Sequence, residues 1–246
     1  MIKKRIIITL TFVEGILFRT KNFKPDYRYT KNFIDLWTVD EIILIDVSKQ
    51  KLKKNFLEII RYFVENCHVP ISVGGGIKNL KQVDEIMSLG VEKIILNSSS
   101  YISNFELIKQ ISEKYGTQSI VHSIDCKKEY TNYYVCFENN TINTTINVKD
   151  WAKKLMKQNI GEILINNVDN DGSLLGYDID LIQMLEKNIS VPILVLGGCG
   201  NWNHVLELFN KTDVSGACTQ NIYHFSNESL ISLKSFLKEN NIPIRN

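Results

Sequence analysis

The sequence predicts an α/β chain: a (β/α)8 barrel, the TIM barrel, made of two related half-barrels. Three observations carry that expectation. Val69-Pro-Ile-Ser-Val-Gly-Gly-Gly76 returns as Val191-Pro-Ile-Leu-Val-Leu-Gly-Gly198, 122 residues on (from 69 to 191). Glu41-Ile-Ile-Leu-Ile-Asp46 returns more loosely as Glu162-Ile-Leu-Ile-Asn-Asn167, 121 residues on (from 41 to 162). Each copy of the unit is a short apolar strand that runs into a turn and then a helical pattern, and the chain has 246 residues, close to the roughly 250 of such barrels.

The elements follow in order. Strands are expected near 5–10, 41–46, 70–73, 92–96, 119–124, 162–166, 192–196 and 215–218. They are short and rich in Ile, Leu and Val, as strands covered on both faces should be. Helical spacing follows most of them. Leu80, Val83, Ile86 and Met87 share one face, as do Phe105, Ile108 and Ile111, and Val205, Leu208 and Phe209. Alternating strands and helices imply a parallel sheet with right-handed crossovers. Residues 130–146 break the rhythm. Tyr133–Phe137 and Thr141–Ile146, with Asn139-Asn140 between them, read as a small β-hairpin insert after strand 5. Residues 15–31 mix charges and aromatics without a period and read as a mobile loop over the catalytic face. No linker or low-complexity tract interrupts the pattern, so 1–246 reads as one domain.

Composition excludes several classes. Lys plus Arg is 29 and Asp plus Glu 27, which gives no electrostatic case for nucleic acid or a membrane surface. Cys67, Cys126, Cys136, Cys199 and Cys218 are scattered without a CxxC pair, as reduced thiols of a cytoplasmic protein would be. No run of about 18 apolar residues occurs, and Met1-Ile-Lys-Lys-Arg leads into a strand rather than a signal peptide. The four histidines lack metal-ligand spacing. Neither a metal nor a cofactor is expected.

In a barrel the loops at the C-terminal ends of the strands form the active face. Gly74-Gly75-Gly76 follows strand 3, and Asn97-Ser98 ends strand 4. Glycine turns let backbone amides approach an anion closely. Asp171-Gly172-Ser173, Gly197-Gly198 and Gln220-Asn221 follow strands 6, 7 and 8 and make a second cradle. Two cradles suit a substrate with a phosphate at each end; the plain alternative is that the glycines only make tight turns. Between the cradles Asp125 ends strand 5 and can act as a general acid or base. Its counterpart by the repeat is Thr11, which cannot exchange a proton near neutral pH as a carboxylate can. Asp46 and Asp169 end strands 2 and 6, where a capping bond is as good a reading as a functional one. Cys126 reads as a small wall residue rather than a nucleophile. At the opposite mouth, Arg5, Glu41, Lys93 and Glu162 begin strands 1, 2, 4 and 6, a charge-balanced set able to form a ring of ion pairs.

Lys4-Arg-Ile-Ile, Val73-Gly-Gly-Gly-Ile77, Lys93 with Asn97, Ile124-Asp125, Asp169-Asn-Asp-Gly172 with Gly176-Tyr-Asp178, Gly197-Gly198 and His224-Phe225 resemble HisF, the cyclase subunit family of imidazole glycerol phosphate synthase. The resemblance covers the whole chain. It implies a barrel docked by its N-terminal face on a HisH-like glutaminase, whose ammonia travels through the barrel to a substrate with two phosphates. It implies that Arg5, Glu41, Lys93 and Glu162 form the ammonia gate, that Gly76, Asn97 and Ser98 hold one phosphate, and that Gly172, Gly198 and Asn221 hold the other.

The departures are as informative. The family pattern has catalytic aspartates ending strands 1 and 5; Asp125 matches the second, but the first is Thr11. The loop lysine is Arg19, which keeps the charge and loses the amine. Gln220 stands at a small-residue position and would crowd the second phosphate. Asn166 and Leu196 replace small polar residues. Docking features are kept while the cyclase chemistry is damaged. That pattern fits a paralogue that supplies ammonia for amidating a surface-glycan sugar, for example acetamidino formation, beside an ATP-dependent sugar amidotransferase. The alternatives are a histidine-pathway cyclase that tolerates Thr11 and a noncatalytic scaffold that activates its glutaminase.

Overall fold

The structure, a computed structural model, describes residues 3–28, 39–48, 54–220 and 230–245. Eight strands close a parallel barrel: β1 (Arg5–Val13), β4 (Glu41–Asp46), β5 (Ile71–Gly74), β6 (Lys93–Leu96), β7 (Ile120–Glu129), β10 (Glu162–Asn167), β11 (Ile193–Leu196) and β12 (Gly216–Thr219). They pair in chain order, and β12 returns to β1 with Arg5 beside Gly216 and Ile8 beside Thr219. These are the eight expected strands.

Helices cover the outside: α1 (Lys54–Asn66), α2 (Leu80–Met87), α3 (Ser98–Ile102), α4 (Glu106–Tyr115), α5 (Val148–Leu155), α6 (Ile179–Glu186), α7 (Trp202–Lys211) and α8 (Leu230–Glu239). Each expected apolar face packs inward, as with Val83 and Ile86 in α2 and Val205, Leu208 and Phe209 in α7. Phe105 is the exception in position. It sits just before α4 with φ of 67°, outside the helix whose spacing it shares. Asn79, Asn147, Asp178 and Asn201 cap α2, α5, α6 and α7, each side chain accepting a backbone N–H of the first turn. Among the described residues no helix is long and apolar enough to cross a membrane.

Two strands overshoot the barrel, and both feed antiparallel ribbons. β7 pairs with β8 (Asn132–Phe137), which pairs with β9 (Ile142–Asn147); this is the expected hairpin insert. β1 pairs with β2 (Ile16–Lys21), which pairs with β3 (Lys24–Arg28). The second ribbon corrects the expectation of an irregular loop over 15–31, of which 29–31 lie outside the described residues. Left-handed backbone at Glu14-Gly15 and at Asn22-Phe23 makes two tight reversals. An irregularity between Arg19 and Thr20 shifts the pairing register, which erases the two-residue alternation a sequence reading relies on.

The barrel interior is layered, as the two-residue period of a strand requires. Arg5, Glu41, Lys93 and Glu162 form its floor. Ile7, Ile43, Ile95, Val121, Leu164, Leu194 and Cys218 form an apolar middle layer. Two residues further along the same strands come Thr9, Ile45, Asn97, Ser123, Asn166, Leu196 and Gln220, and Asp125 lies beyond Ser123. The C-terminal mouth is thus the upper face of one continuous stack.

Candidate active site

The larger opening at the C-terminal mouth is a cavity of about 330 Å³. Its floor is the upper layer of the barrel, and one wall is the turn after β5. Gly75 has φ of 113°, and a Cβ there would lie 2.3 Å from the Asp46 carbonyl oxygen. Glycine is therefore required at this point, and Gly76 follows it at φ of 67°. Gly76, Asn97 and Ser98 all line the cavity. The Glu138 amide, at the tip of the β8–β9 ribbon, donates to Ser98 Oγ at 3.0 Å, so the hairpin insert supplies part of the wall.

Asp125 reaches this cavity and is 5 % exposed. Asn97 Nδ2 donates to its Oδ2 at 2.6 Å, and Asn166 Nδ2 donates to its Oδ1 at 3.2 Å. The strand register makes the second contact, because Asn166 and Asp125 are paired across β10 and β7. Burial pushes the Asp125 carboxyl up to about 6, against the pull of the two amides, and the nearby Asp171 charge pushes the same way. A carboxyl poised there can give or take a proton near neutral pH.

Thr11 is buried near the end of β1 and lines a second, smaller cavity of about 30 Å³. Asn166 borders both cavities and stands between the two sides. Gly172 and Gly198 line the smaller cavity, as does Gln220. Asn221 and the His224-Phe225 pair lie outside the described residues. Arg19 does not reach Asp125's cavity: its Nη2 donates to the Gly172 carbonyl at 2.8 Å, and its Nε stands 3.5 Å from Asp26.

The remaining candidates take structural places. Asp46 accepts the Ser48 amide at 3.0 Å and the Ser48 hydroxyl. Asp169 accepts the Lys128 amide at 3.0 Å. Cys126 packs in the outer core, and burial holds its thiol well above the ordinary range, which removes it as a nucleophile. His122 is fully buried beside Trp151, and burial drives its pKa down to about 3.

Two site residues carry more than the sequence suggested. Asn166 is a direct partner of Asp125 rather than a simple replacement. Asp171, noted only as part of a glycine turn, has its carboxyl pushed up to about 6 by burial. The Phe23 amide donates to it at 3.1 Å. Its burial depends on the β2–β3 ribbon, which the sequence pattern hid.

At the other mouth the four strand-start charges meet. Arg5 Nη1 bridges Glu41 and, at 2.8 Å, Glu162; Lys93 Nζ bridges Glu162 at 2.9 Å and Glu41 at 3.3 Å. The ring is closed and nearly dry. Burial works against the charge on Arg5, but the two glutamates outweigh it and hold its pKa above the ordinary value.

The model of the family described as "Histidine biosynthesis protein" matches residues 10–228. The chain is 32 % identical over 252 aligned residues to the imidazole glycerol phosphate synthase subunit HisF of Hydrogenobaculum sp. (strain Y04AAS1), and 33 % over 253 to that of Clostridium botulinum (strain Okra / Type B1). It is 30 % identical over 252 to that of Bacillus cereus (strain G9842). Each match spans all of this chain and all of the relative. Matched by that family model over residues 10–228 and by HisF subunits from end to end, the chain belongs to the histidine biosynthesis protein family, among its HisF members.

Proposed function

We propose that this chain is the synthase-side subunit of a glutamine amidotransferase complex. It receives ammonia from a HisH-like glutaminase at its N-terminal mouth and passes it through the barrel to a phosphorylated or sugar substrate at Asp125. The observation that carries this reading is the contrast between a closed ring of Arg5, Glu41, Lys93 and Glu162 at one mouth and Thr11 in place of a proton-transfer carboxylate at the other. A ring of four charges that only closed a barrel could be replaced by apolar side chains at little cost, so its retention supports a role in docking and gating.

At the C-terminal mouth, Gly76, Asn97 and Ser98 hold the phosphate. Asp125 is the remaining proton-transfer group, and Asn97 and Asn166 orient it. Thr11 accepts or donates a hydrogen bond without exchanging its proton at neutral pH. Loss of one general acid or base typically costs about 10²–10⁴-fold in rate. Weak cyclase chemistry and an intact conduit together favour surface-glycan sugar amidation, with a separate ATP-dependent sugar amidotransferase, as the setting. A second reading, the histidine-pathway cyclase itself, is favoured by the end-to-end match to subunits of that name.

The test is reconstitution. Mixed at micromolar concentration, the chain and its cognate glutaminase should sediment as a 1:1 complex with raised glutaminase activity. Two separately sedimenting species would remove the docking reading.

A further inference from the structure

The two glycine cradles are unequal, and the inequality bears on what the chain accepts. The second cradle is filled by the protein itself. The β2–β3 ribbon lies across it and is tied down at several points. Gln220, just past β12, donates from Nε2 to the Phe18 carbonyl. Arg19 donates to the Gly172 carbonyl, and the Phe23 amide donates to Asp171. A Cβ on Gly172 would stand 2.7 Å from the Thr20 carbonyl oxygen, so ribbon and cradle backbones are already in contact. Among the described residues the space that remains is about 30 Å³, against about 330 Å³ in the first cavity.

The first cavity, at about 330 Å³, is within the range of small-ligand pockets. It runs from the Gly75-Gly76 turn past Asn97 and Ser98 to Asp125 and Asn166. Asn166 is 1 % exposed, and its Oδ1 accepts no hydrogen bond from the protein. A buried amide oxygen in that position calls for an N–H or O–H donor.

We infer that the chain takes a sugar phosphomonoester, with one phosphate at Gly76, Asn97 and Ser98 and an uncharged, hydrogen-bond-donating end at Asp125 and Asn166, and that Gln220 is the specificity residue that shuts the second anion cradle. This rests on the proposed function for the phosphate end of the first cradle and for the choice of a sugar. A two-phosphate substrate would have to lift the ribbon and break the Gln220 bond. A hydroxylated sugar end has no such requirement.

Inorganic phosphate is the probe, read by calorimetric stoichiometry and by crystals soaked in it. The wild-type chain should bind one phosphate, at Gly76, Asn97 and Ser98, with Gln220 still on Phe18. Gln220→Gly should admit a second phosphate at Gly172 and Gly198. Glucose 1-phosphate should bind the wild-type chain at least tenfold tighter than glucose 1,6-bisphosphate. Phosphate at Gly172 and Gly198 in the wild-type chain, phosphate at neither cradle, or tighter binding of the bisphosphate would each overturn the inference. A single phosphate in Gln220→Gly would overturn the role of Gln220. The outcome is separable from docking: a failed glutaminase complex with one bound phosphate removes only the docking reading, and two bound phosphates on an intact complex remove only this one.

Discussion

The two mouths of the barrel treat charge in opposite ways. At the N-terminal mouth, Arg5 and Lys93 each bridge both Glu41 and Glu162, and the charges cancel. At the C-terminal mouth, Asp125 is just as deeply buried and faces amides instead of cations. The outcome for proton affinity is opposite as well. Arg5 is held in its charged form, whereas the Asp125 and Asp171 carboxyls are pushed up to about 6. A paired buried charge is fixed and chemically quiet. An unpaired buried carboxyl sits at a cost to stability and stays ready to exchange a proton. One end holds its charges in pairs, and the other holds carboxyls able to exchange a proton near neutral pH.

Breaking the pairing at the floor should have the largest effect. Glu41→Ala leaves Arg5 and Lys93 sharing one carboxylate in a dry environment. Removing one partner of a buried pair costs about 3–5 kcal/mol. A urea melt should show a drop near that range, and a change under 1 kcal/mol would mean that water already relieves the ring.

The upper mouth should respond with the opposite sign. A buried acid with a raised folded-state pKa destabilises the fold once ionised. The penalty is absent below the unfolded pKa of about 3.9, grows as pH rises, and is complete above about pH 6. Asp125→Asn should therefore stabilise the chain at pH 7.5, by up to about 3 kcal/mol on the shift of two units, while abolishing any proton transfer. The gain should vanish near pH 4. A loss of stability at pH 7.5 would show that the Asn97 and Asn166 bonds matter more than burial.

A smaller effect comes from His122, outside the barrel wall. Its folded pKa is depressed to about 3, so its contribution is present above the unfolded value of about 6.5 and is lost as pH falls. Between pH 6 and 4 this opposes the two carboxyls. His122→Phe should leave neutral stability within about 1–2 kcal/mol, since it removes buried polar atoms but adds volume. Stability should then rise, rather than fall, on acidification to pH 4.5. An unchanged acid limb in thermal melts would assign that limb to other groups.

How far the sequence carried the fold differs between the same two regions. The floor ring could be read directly, because strand-start charges and a two-residue period place Arg5, Glu41, Lys93 and Glu162 in one layer. The barrel was legible from the repeated Val-Pro-Ile strand and its glycine turn. The upper site was legible only in part. Asp125 stood out as a carboxylate at a strand end, but its partner Asn166 is 41 residues away and meets it only through the β7–β10 register. Once eight strands are ordered, that register can be counted out, so the signal existed. The β2–β3 ribbon left no such signal. Its alternation is broken between Arg19 and Thr20, and Pro25 sits in β3. Because the ribbon buries Asp171, that burial was hidden too, whereas the crowding of the second cradle by Gln220 was legible from its size.

The upper mouth holds Thr11 where the family pattern has a second proton-transfer carboxylate, and the proposed division of labour between the mouths needs that site to be slow. Turnover of the imidazole glycerol phosphate synthase substrate with saturating ammonium, and no glutaminase, measures this directly. Relative to a HisF such as that of Clostridium botulinum, the wild-type chain should be slower by about 10²-fold or more, and Thr11→Asp should recover part of that loss. Wild-type turnover equal to the relative's would contradict the claim and make this chain an ordinary cyclase.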